Sequence, residues 1–452
     1  MSNRKKRVYV TGLGAISPYG TTVAELWDGC LSGKDASQPI PAIWTRDYPL
    51  KSVRWSPLPP IDYSSQGLTH NECTQYDAGT LIALIAARDA LRDAGYTTHV
   101  VNKKDNRIAI EGIDEERWTV HLGTGVGGIE SLLGLHSTLI LKPRADELAE
   151  LGDAAIEVLQ KISGYEKRIN PFTVSMVMPN AAAAAIGIKY GLTGGNNTYT
   201  QACAAATMAI GHAYNELKSG KADAAIVGGS EWMHANDGTV FHAWDRTGTL
   251  VRQTDGNPHG VARPFDANRS GMLFAQGGAG TLILETEEHV IERNGEPIAE
   301  IAGYAESFDA YSLMIPRPDG MEIEKAIVHA LEDAQCVAND VKYINSHGTG
   351  TVNNDQIEAD VLLRIYDDRK PFINSTKGLL GHTLAASGAI EAIITAKTIS
   401  TSIAHACPNL DNPIAPLPFV RQTLKSNFDV GISQSFGFGG NNAALVMRNI
   451  CG

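Results

Sequence analysis

The chain has 452 residues, of which 43% are hydrophobic, and its formal net charge is −12 at pH 7. This length is sufficient for two substantial cores. The acidic balance argues against a general nucleic-acid-binding protein, because phosphate neutralisation needs a concentrated Lys/Arg face.

No segment has the apolar length of a signal peptide or a membrane span, since glycines interrupt the sequence directly after the basic start MSNRKKRVYVTG. The six cysteines lie far apart and include no C-x-x-C pair, so that neither a zinc site nor a disulfide framework is indicated. We therefore expect a cytoplasmic protein in a reducing compartment, with no nucleic-acid or membrane partner.

Strand and helix patterns alternate from the start of the chain. RVYVTGLGAI predicts a strand, TLIALIAARDALRDAGY predicts a long helix, and WTVHLGTGVGG predicts a strand that ends in a glycine-rich turn. This alternation is typical of an α/β fold. The segments 36–70 and 100–118 are polar, proline-rich or charged and lack periodicity, so we expect them to be surface insertions.

Residues 197–220 predict a strand, a turn and a helix around Cys203. The helix should begin just after Cys203 and end at Lys218, before Gly220. The positive end of the helix dipole would lower the pKa of a thiol placed there. An unpaired cysteine among alanines is also a common core residue, so this stretch alone leaves both interpretations open.

The second part of the chain repeats the pattern of the first. The charged stretch ETEEHVIERNGEP marks a boundary, and FINSTKGLLGHTLAASGAIEAIITAKTI, residues 372–399, parallels residues 197–220. These observations favour two similar halves, which we place at residues 7–286 and 297–450.

Two histidines follow predicted strands and precede glycine turns. His347 lies in YINSHGTGT, and His382 lies in STKGLLGHTLAAS with Lys377 five residues before it. Strand ends beside glycine turns are where α/β proteins often carry their chemistry. With Cys203, the histidines form a candidate site for nucleophilic catalysis.

Four motifs in order, QACAAATMAIG, SHGTGT, STKGLLGHTLAASGAIEA and SQSFGFGGNNAALV, resemble the β-ketoacyl-[acyl carrier protein] synthases. The resemblance is strongest to the KAS II type and to ketosynthases of type II polyketide systems, and it extends over nearly the whole chain. It implies the thiolase fold, in which two βαβαβαββ halves stack as a five-layer αβαβα sandwich. It also implies a dimer.

The resemblance implies a decarboxylative Claisen condensation on substrates carried by the phosphopantetheine of an acyl carrier protein, with no metal and no further cofactor. Cys203 would carry the acyl chain, and the backbone N–H groups of Cys203 and Phe438 would form the oxyanion hole. His347 and His382 would donate hydrogen bonds to the malonyl thioester oxygen, a role that suits neutral rings.

Further positions match supporting residues of the family. Lys377 would act with Glu358 to hold the charge state and orientation of the histidines, the alternative being a plain buried ion pair. Thr349 and Thr351 would bind the phosphopantetheine arm, the alternative being that they cap the following turn. Phe438 would be a gating aromatic residue between flexible glycines.

The sequence also departs from the family pattern. Ser312 and Met314 stand where a histidine and a threonine are usual, which predicts a less polar tunnel mouth. Gln276 or Gly277 replaces an acidic residue. The segment GLTHNECTQYDAG lacks the Lys and Arg of a typical carrier-docking segment, so that docking would use other basic residues or a partner subunit.

Three other classes are weaker interpretations. A dinucleotide-binding oxidoreductase would need a full G-x-G-x-x-G with an acid downstream. A thiolase would need a second catalytic cysteine near the last glycine turn, where only Cys451 follows. A non-catalytic chain-length partner would lack Cys203. The sequence leaves open a homodimeric KAS II of fatty acid elongation and the catalytic subunit of a heterodimer with a chain-length-factor-like ketosynthase; the insertions favour a polyketide or polyene pathway.

Overall fold

The computed structural model describes residues 6–46, 48–103, 106–149, 152–163, 169–366 and 371–450. In these ranges the strands are β1 Val8–Ile16, β2 Gln38–Pro39, β3 Arg54–Trp55, β4 Thr98–Asn102, β5 Arg107–Ile110, β6 Trp118–Gly123, β7 Asn196–Tyr199, β8 Ala224–Trp232, β9 Gly277–Thr286, β10 Ala299–Phe308, β11 Tyr343–Asn345, β12 Phe372–Asn374, β13 Ile403–Ala404, β14 Leu424–Lys425, β15 Val430–Gly437 and β16 Asn441–Arg448. The helices are α1 Val23–Ser32, α2 Ala42–Thr45, α3 His70–Gln75, α4 Ala78–Asp93, α5 Ile129–Ala149, α6 Asp153–Ser163, α7 Thr173–Val177, α8 Ala181–Tyr190, α9 Ala205–Lys218, α10 Thr239–Thr247, α11 Glu287–Glu292, α12 Met321–Asp333, α13 Val352–Ile365, α14 Lys377–Leu380 and α15 Ser387–Thr401.

A sheet of 10 strands runs through the described part of the chain in the order β12-β11-β15-β16-β10-β1-β9-β8-β6-β7. Its two ends have the same topology. In the first, β6 pairs in parallel with β7 and β8, and β9 pairs antiparallel with β8 and β1. In the second, β11 pairs in parallel with β12 and β15, and β16 pairs antiparallel with β15 and β10. The two units join where β1 pairs antiparallel with β10.

Helices separate and cover these two units. Helices α9 and α15 contact strands of both units and each other, and therefore form a middle layer. Helices α4 and α8 cover the first unit, while α12 and α13 cover the second. This confirms the predicted five-layer arrangement of two similar halves. The exact division at residues 286 and 297 stays a prediction.

Small residues set the spacing of the middle layer. A Cβ atom on Gly388 of α15 would lie 2.1 Å from Oγ1 of Thr207 on α9, so the two helices approach too closely for any larger residue. The alanines after Cys203 are buried in the same layer. This close packing brings the start of α9 next to the start of α15.

The segment 36–70 is more than a surface insertion, so that prediction was wrong in part. Trp44 and Trp55 are buried, their ring centroids lie 4.7 Å apart, and they pack with Phe241 and Phe274. Two tryptophans bury enough apolar area to anchor an otherwise polar segment. In the segment 100–118 the prediction also holds only in part: β4 is exposed, whereas its partner β5 packs on α8 with Ile110 buried. None of the described helices is both long and apolar enough to span a membrane.

Candidate active site

A sharp turn presents Cys203 at the end of β7. Ala202–Ala204 form a 3₁₀ turn that runs directly into α9, so the predicted helix after Cys203 is confirmed. Ala202 has φ 47°, a left-handed conformation that costs energy for a residue with a Cβ atom. The second half uses the same turn before α15, where Leu384 has φ 48°. Both middle-layer helices therefore begin with a strained turn.

The structure brings the predicted cysteine and both histidines together. Nε2 of His382 lies 3.0 Å from Sγ of Cys203, and the ring centroids of His347 and His382 are 5.6 Å apart. One nitrogen of each histidine and the sulfur all lie within 4.8 Å of one another. All three side chains are at most 3% exposed. They form a compact, desolvated cluster of one thiol and two imidazoles.

The backbone fixes the tautomer of His382. The N–H of Leu384 lies 3.2 Å from Nδ1 of His382, and an N–H group can only donate. Nδ1 must therefore accept, and the proton of the neutral ring stands on Nε2, facing Cys203. A metal would need Nε2 unprotonated, so the cluster is arranged as a hydrogen-bond donor toward the sulfur rather than as a metal site.

The expected lowering of the Cys203 pKa is wrong for the empty site. Burial raises the pKa of this thiol to about 11. The backbone N–H groups of Phe438 and Cys203 and the charge of Lys377 act in the opposite direction but offset only part of this effect. Desolvation of a thiolate at a closed site outweighs the helix start. The same two N–H groups match the expected oxyanion hole.

Both histidines are neutral, as their expected role requires. Burial, and then the nearby charge of Lys377, hold the pKa of His382 well below its usual value. The pKa of His347 is also far below its usual value, through burial, Lys377 and His382. Among the described residues, no group hydrogen-bonds to the buried Nδ1 of His347.

Lys377 does not pair with Glu358, which corrects the sequence-based expectation. Its Nζ lies 2.5 Å from Oε1 of Glu391 on α15, and both side chains are only 2% exposed. Lys377 faces α15, while Glu358 lies on α13 on the other side of the loop after β11. Burial raises the pKa of Glu391 to about 7 against the attraction of Lys377. Sequence reasoning missed Glu391, whose only signal is an acid in the apolar run GAIEAII.

Glu358 instead holds the backbone of the histidine loop. It accepts hydrogen bonds from the N–H groups of His347 at 2.7 Å and Gly348 at 2.8 Å, and from Nε2 of Gln434 at 2.6 Å. Gly348 has φ +36°, a conformation that favours glycine. Glu358 therefore positions His347 through the main chain rather than through its ring.

A cavity of about 680 Å³ leads from this cluster to the surface, and it is lined by Cys203, both histidines, Thr349, Thr351, Phe438 and neighbouring loops. The hydroxyl oxygens of Thr349 and Thr351 lie 2.9 Å apart. Thr351 stands at the N-cap position of α13, but its side chain makes no capping hydrogen bond. Oγ1 of Thr349, however, accepts from the backbone N–H of Thr351 at 3.3 Å. The alternative that these threonines cap the turn therefore holds for Thr349 and not for Thr351.

Two departures from the family pattern, Ser312 and Met314, both lie in the lining of the cavity. The neighbouring Leu313 is 75% exposed. Phe438 stacks on Trp244 at a centroid distance of 5.9 Å. The N–H of Gly439 donates to the carbonyl of Leu313 at 2.7 Å, so this hydrogen bond ties together the two loops at the mouth.

Gln276 does not line the cavity. Its Oε1 accepts from the backbone N–H of Leu58 at 3.1 Å and so anchors the tryptophan-bearing segment. Cys451, the remaining cysteine of the thiolase alternative, lies outside the described residues.

Comparison with known proteins gives matches over nearly the whole chain. Residues 5–289 match the beta-ketoacyl synthase N-terminal domain, and residues 298–411 match the beta-ketoacyl synthase C-terminal domain. The chain is 31% identical to a 3-oxoacyl-[acyl-carrier-protein] synthase 2 of Synechocystis sp., with 98% of each protein covered. It is 32% identical to the protein of that name in Rhizobium meliloti, with 99% of this chain and 100% of the relative covered.

Solved structures give the same result. A ketosynthase bound to a type II PKS acyl-carrier protein and a hexaketide has a TM-score of 0.79 at 27% identity, covering 99% of this chain and 100% of that one. The ishigamide ketosynthase/chain length factor has a TM-score of 0.80 at 26% identity, with 98% and 99% covered. A beta-ketoacyl synthase from Burkholderia phymatum has a TM-score of 0.82 at 27% identity, with 98% and 100% covered.

Proposed function

Because the chain belongs to the β-ketoacyl synthase family, we propose that it is a 3-oxoacyl-[acyl carrier protein] synthase that joins a malonyl unit to a cysteine-bound acyl chain. The observation that carries this proposal is the buried cluster of Cys203, His347 and His382 at the end of a surface-connected cavity. The substrates arrive on a carrier protein, and the reaction needs no free cofactor.

In the first half-reaction, the sulfur of Cys203 attacks the thioester of the incoming acyl chain. A new C–S bond forms, and the bond to the phosphopantetheine sulfur breaks. The thiol proton ends on the departing sulfur, so that charge and atoms balance. The N–H groups of Cys203 and Phe438 stabilise the oxyanion of the tetrahedral intermediate. Burial raises the thiol pKa to about 11, so the cysteine enters this step as the thiol.

In the second half-reaction, a malonyl thioester enters and loses CO2. The electrons of the broken C–C bond form an enolate, whose oxygen receives hydrogen bonds from Nε2–H of His382 and from His347. The enolate carbon then attacks the acyl carbonyl, the bond to Cys203 breaks, and the released thiolate takes a proton from water to restore the thiol. Neutral rings are required here, because an imidazolium would protonate the enolate; burial and Lys377 supply that neutrality.

Thr349 and Thr351 support a phosphopantetheine arm as the cavity's occupant. Both hydroxyl groups face the path from the mouth to Cys203, where an amide-bearing chain offers acceptors and donors. The apolar loop at Leu313 and Met314 lies at the entrance, where a carrier protein would dock. The hydroxyl groups of Thr349 and Thr351 therefore suit the amide groups of the phosphopantetheine arm better than an apolar acyl chain.

An exposed apolar surface on the first half supports a dimer. Ile140 on α5, Val174 on α7 and Ile188 on α8 are 55%, 71% and 59% exposed; α5 contacts α7, α7 contacts α8, and α8 contacts the edge strand β7. Such a surface is typical of a protein interface. We propose a homodimer or a heterodimer with a ketosynthase-like partner. The name of the ishigamide ketosynthase/chain length factor supports the heterodimer, and the relatives named 3-oxoacyl-[acyl-carrier-protein] synthase 2 support a KAS II homodimer.

The test is a reconstituted condensation. The purified protein is given an acyl primer on a carrier protein together with malonyl-carrier protein, and mass spectrometry follows acylation of Cys203 and the carrier-bound product. We expect a 3-ketoacyl product longer by two carbons, and none from the variant Cys203→Ala. Cys73→Ala, a change at a partly exposed cysteine outside the cavity, is the matched control. Elongation by Cys203→Ala would refute the mechanism, and size-exclusion of the active protein distinguishes homodimer from heterodimer.

A further inference from the structure

A buried serine lies behind His382 on the side away from Cys203. Oγ of Ser387, the first residue of α15, is 2.9 Å from Nδ1 of His382, and its side chain is almost completely buried. Ser387 lies within the motif STKGLLGHTLAASGAIEA, but no role was predicted for it. The contact raises the question of which atom donates.

The neighbours of Ser387 answer this question. The backbone N–H of Thr383 donates to its Oγ at 3.1 Å, and the hydroxyl of Thr383 lies 3.0 Å from the same oxygen. The serine oxygen thus accepts a hydrogen bond from the N–H of Thr383, and the hydroxyl of Thr383 can be a second donor. Nδ1 of His382 must also accept, because the N–H of Leu384 donates to it. The hydroxyl oxygen of Thr383 could also accept the serine proton, but Nδ1 of His382 would then face a serine lone pair. Both contacts are hydrogen bonds when the hydroxyl of Thr383 donates to Ser387 and the hydroxyl of Ser387 donates to Nδ1 of His382.

We propose that Ser387 is a positioning residue that donates to Nδ1 of His382 and thereby keeps the proton of the neutral ring on Nε2, aimed at the reacting thioester. This rests on the proposed function, since the role has meaning only for enolate stabilisation. The serine acts through the histidine and does not touch the substrate.

Protonation of His382 at Nδ1 would disrupt this arrangement. An Nδ1–H would face the N–H of Leu384 and a serine oxygen already engaged by Thr383, so the ring would lose its orientation. The resulting imidazolium would also give a proton to the enolate. The malonyl unit would then leave as acetyl-carrier protein instead of extending the chain. Ser387 therefore protects the enolate by disfavouring the charged ring.

Of the other groups around His382, Lys377 also favours the neutral ring. Cys203 lies at its Nε2, His347 stands edge-on to the ring, and the charge of Lys377 acts on it, with Glu391 behind that lysine. None of these groups contacts Nδ1. The serine hydroxyl and the N–H of Leu384 are therefore the groups that select the tautomer.

The test compares Ser387→Ala with Ser387→Thr across pH 5 to 8. Loss of one hydrogen bond to the neutral ring should move the acid limb of the condensation rate upward by about 0.5 to 1 pH unit, and the rate at a pH below the native limb should fall roughly 3- to 10-fold. The share of malonyl groups lost as acetyl-carrier protein should rise, while acylation of Cys203 stays within about twofold. Ser387→Thr, which keeps the hydroxyl, should restore the native profile.

Thr395→Val is the matched control, because it removes a buried hydroxyl of the same helix that bonds only to the carbonyl of Glu391. It should leave the pH profile unchanged. An Ser387→Ala profile that overlays the native one, or an equal loss of both half-reactions, would overturn the inference. Absence of condensation in the native protein would instead overturn the proposed function, so the two failures are distinguishable.

Discussion

Replacement of Lys377 by methionine tests the buried ion pair behind the histidines. Nζ of Lys377 lies 2.5 Å from Oε1 of Glu391, and both side chains are almost fully buried. Oε2 of Glu391 has no hydrogen-bond partner among the described residues. In Lys377→Met, the carboxyl group of Glu391 stays buried and loses the positive charge that faces it. Its charged form becomes less favourable, so we expect it to bind a proton.

The magnitude follows from the pKa of Glu391. Burial raises this pKa from 4.5 to about 7, so the folded protein binds a proton more tightly than the unfolded chain. Stability therefore falls as pH rises from 4.5, by about 1.4 kcal/mol per pH unit and roughly 3 kcal/mol in total, and levels off above pH 7. In Lys377→Met the pKa of Glu391 in the folded protein is higher still, because in the native protein the attraction of Lys377 lowers this pKa. The stability of Lys377→Met therefore continues to fall above pH 7. Its free energy of unfolding should lie below the native value by about 2 kcal/mol more at pH 8.5 than at pH 6.

The assay is chemical unfolding followed by tryptophan fluorescence at pH 6, 7 and 8.5. Lys377→Met/Glu391→Leu removes both charges and should show no such pH dependence above pH 7, since a buried pair can be replaced by apolar residues at little cost. Lys325→Met, at an exposed pair 2.7 Å from Glu322, is the matched control and should cost at most about 1 kcal/mol at every pH. Parallel stability curves for Lys377→Met and the native protein would refute the reasoning.

Three further predictions concern the cavity. Alkylation of Cys203 by iodoacetamide in the absence of substrate should keep accelerating with pH beyond pH 8.5, because burial raises the thiol pKa to about 11; a plateau near pH 8.5 would contradict this. Thr349→Val should raise KM for the acyl-carrier protein about 3- to 10-fold with kcat nearly unchanged, as expected for one lost hydrogen bond, and a loss in kcat alone would contradict its role. Phe438→Ala removes the stack on Trp244 and should weaken discrimination between short and long primers in competition assays, whereas Phe308→Ala, at an exposed ring, should not.

The convergence of Cys203, His347 and His382 could be predicted from sequence, because each lies at a glycine- or alanine-rich turn between a strand and a long helix, although the short helix α14 intervenes before His382. Their pKa values could not, since desolvation depends on how completely the folded chain covers a group. The Cys203 thiol illustrates this: the start of α9 was identified correctly, yet burial outweighs its effect.

Side-chain contacts between different elements could not be predicted from sequence either. Lys377 lies close to Glu358 along the sequence, but its partner is decided by which helix faces it, and that helix carries Glu391. Trp44 and Trp55 sit in a polar, irregular segment, so periodicity could not show that both rings point inward. Local sequence patterns predict the helices and strands, whereas the contacts between layers determine the ion pairs and the pKa values.

The repeated turn explains why the site needs both halves. In the first half the residue after the strained Ala202 is Cys203; in the second half the residue after the strained Leu384 is Ala385, and the reactive side chain, His382, stands two residues before that turn. The helices α9 and α15 lie side by side in the middle layer, so the two turns face each other. Because His382 stands two residues before its turn, a histidine rather than a second thiol lies opposite the sulfur of Cys203. One turn therefore supplies the nucleophile, and its structural copy supplies the donor that acts on the substrate held there.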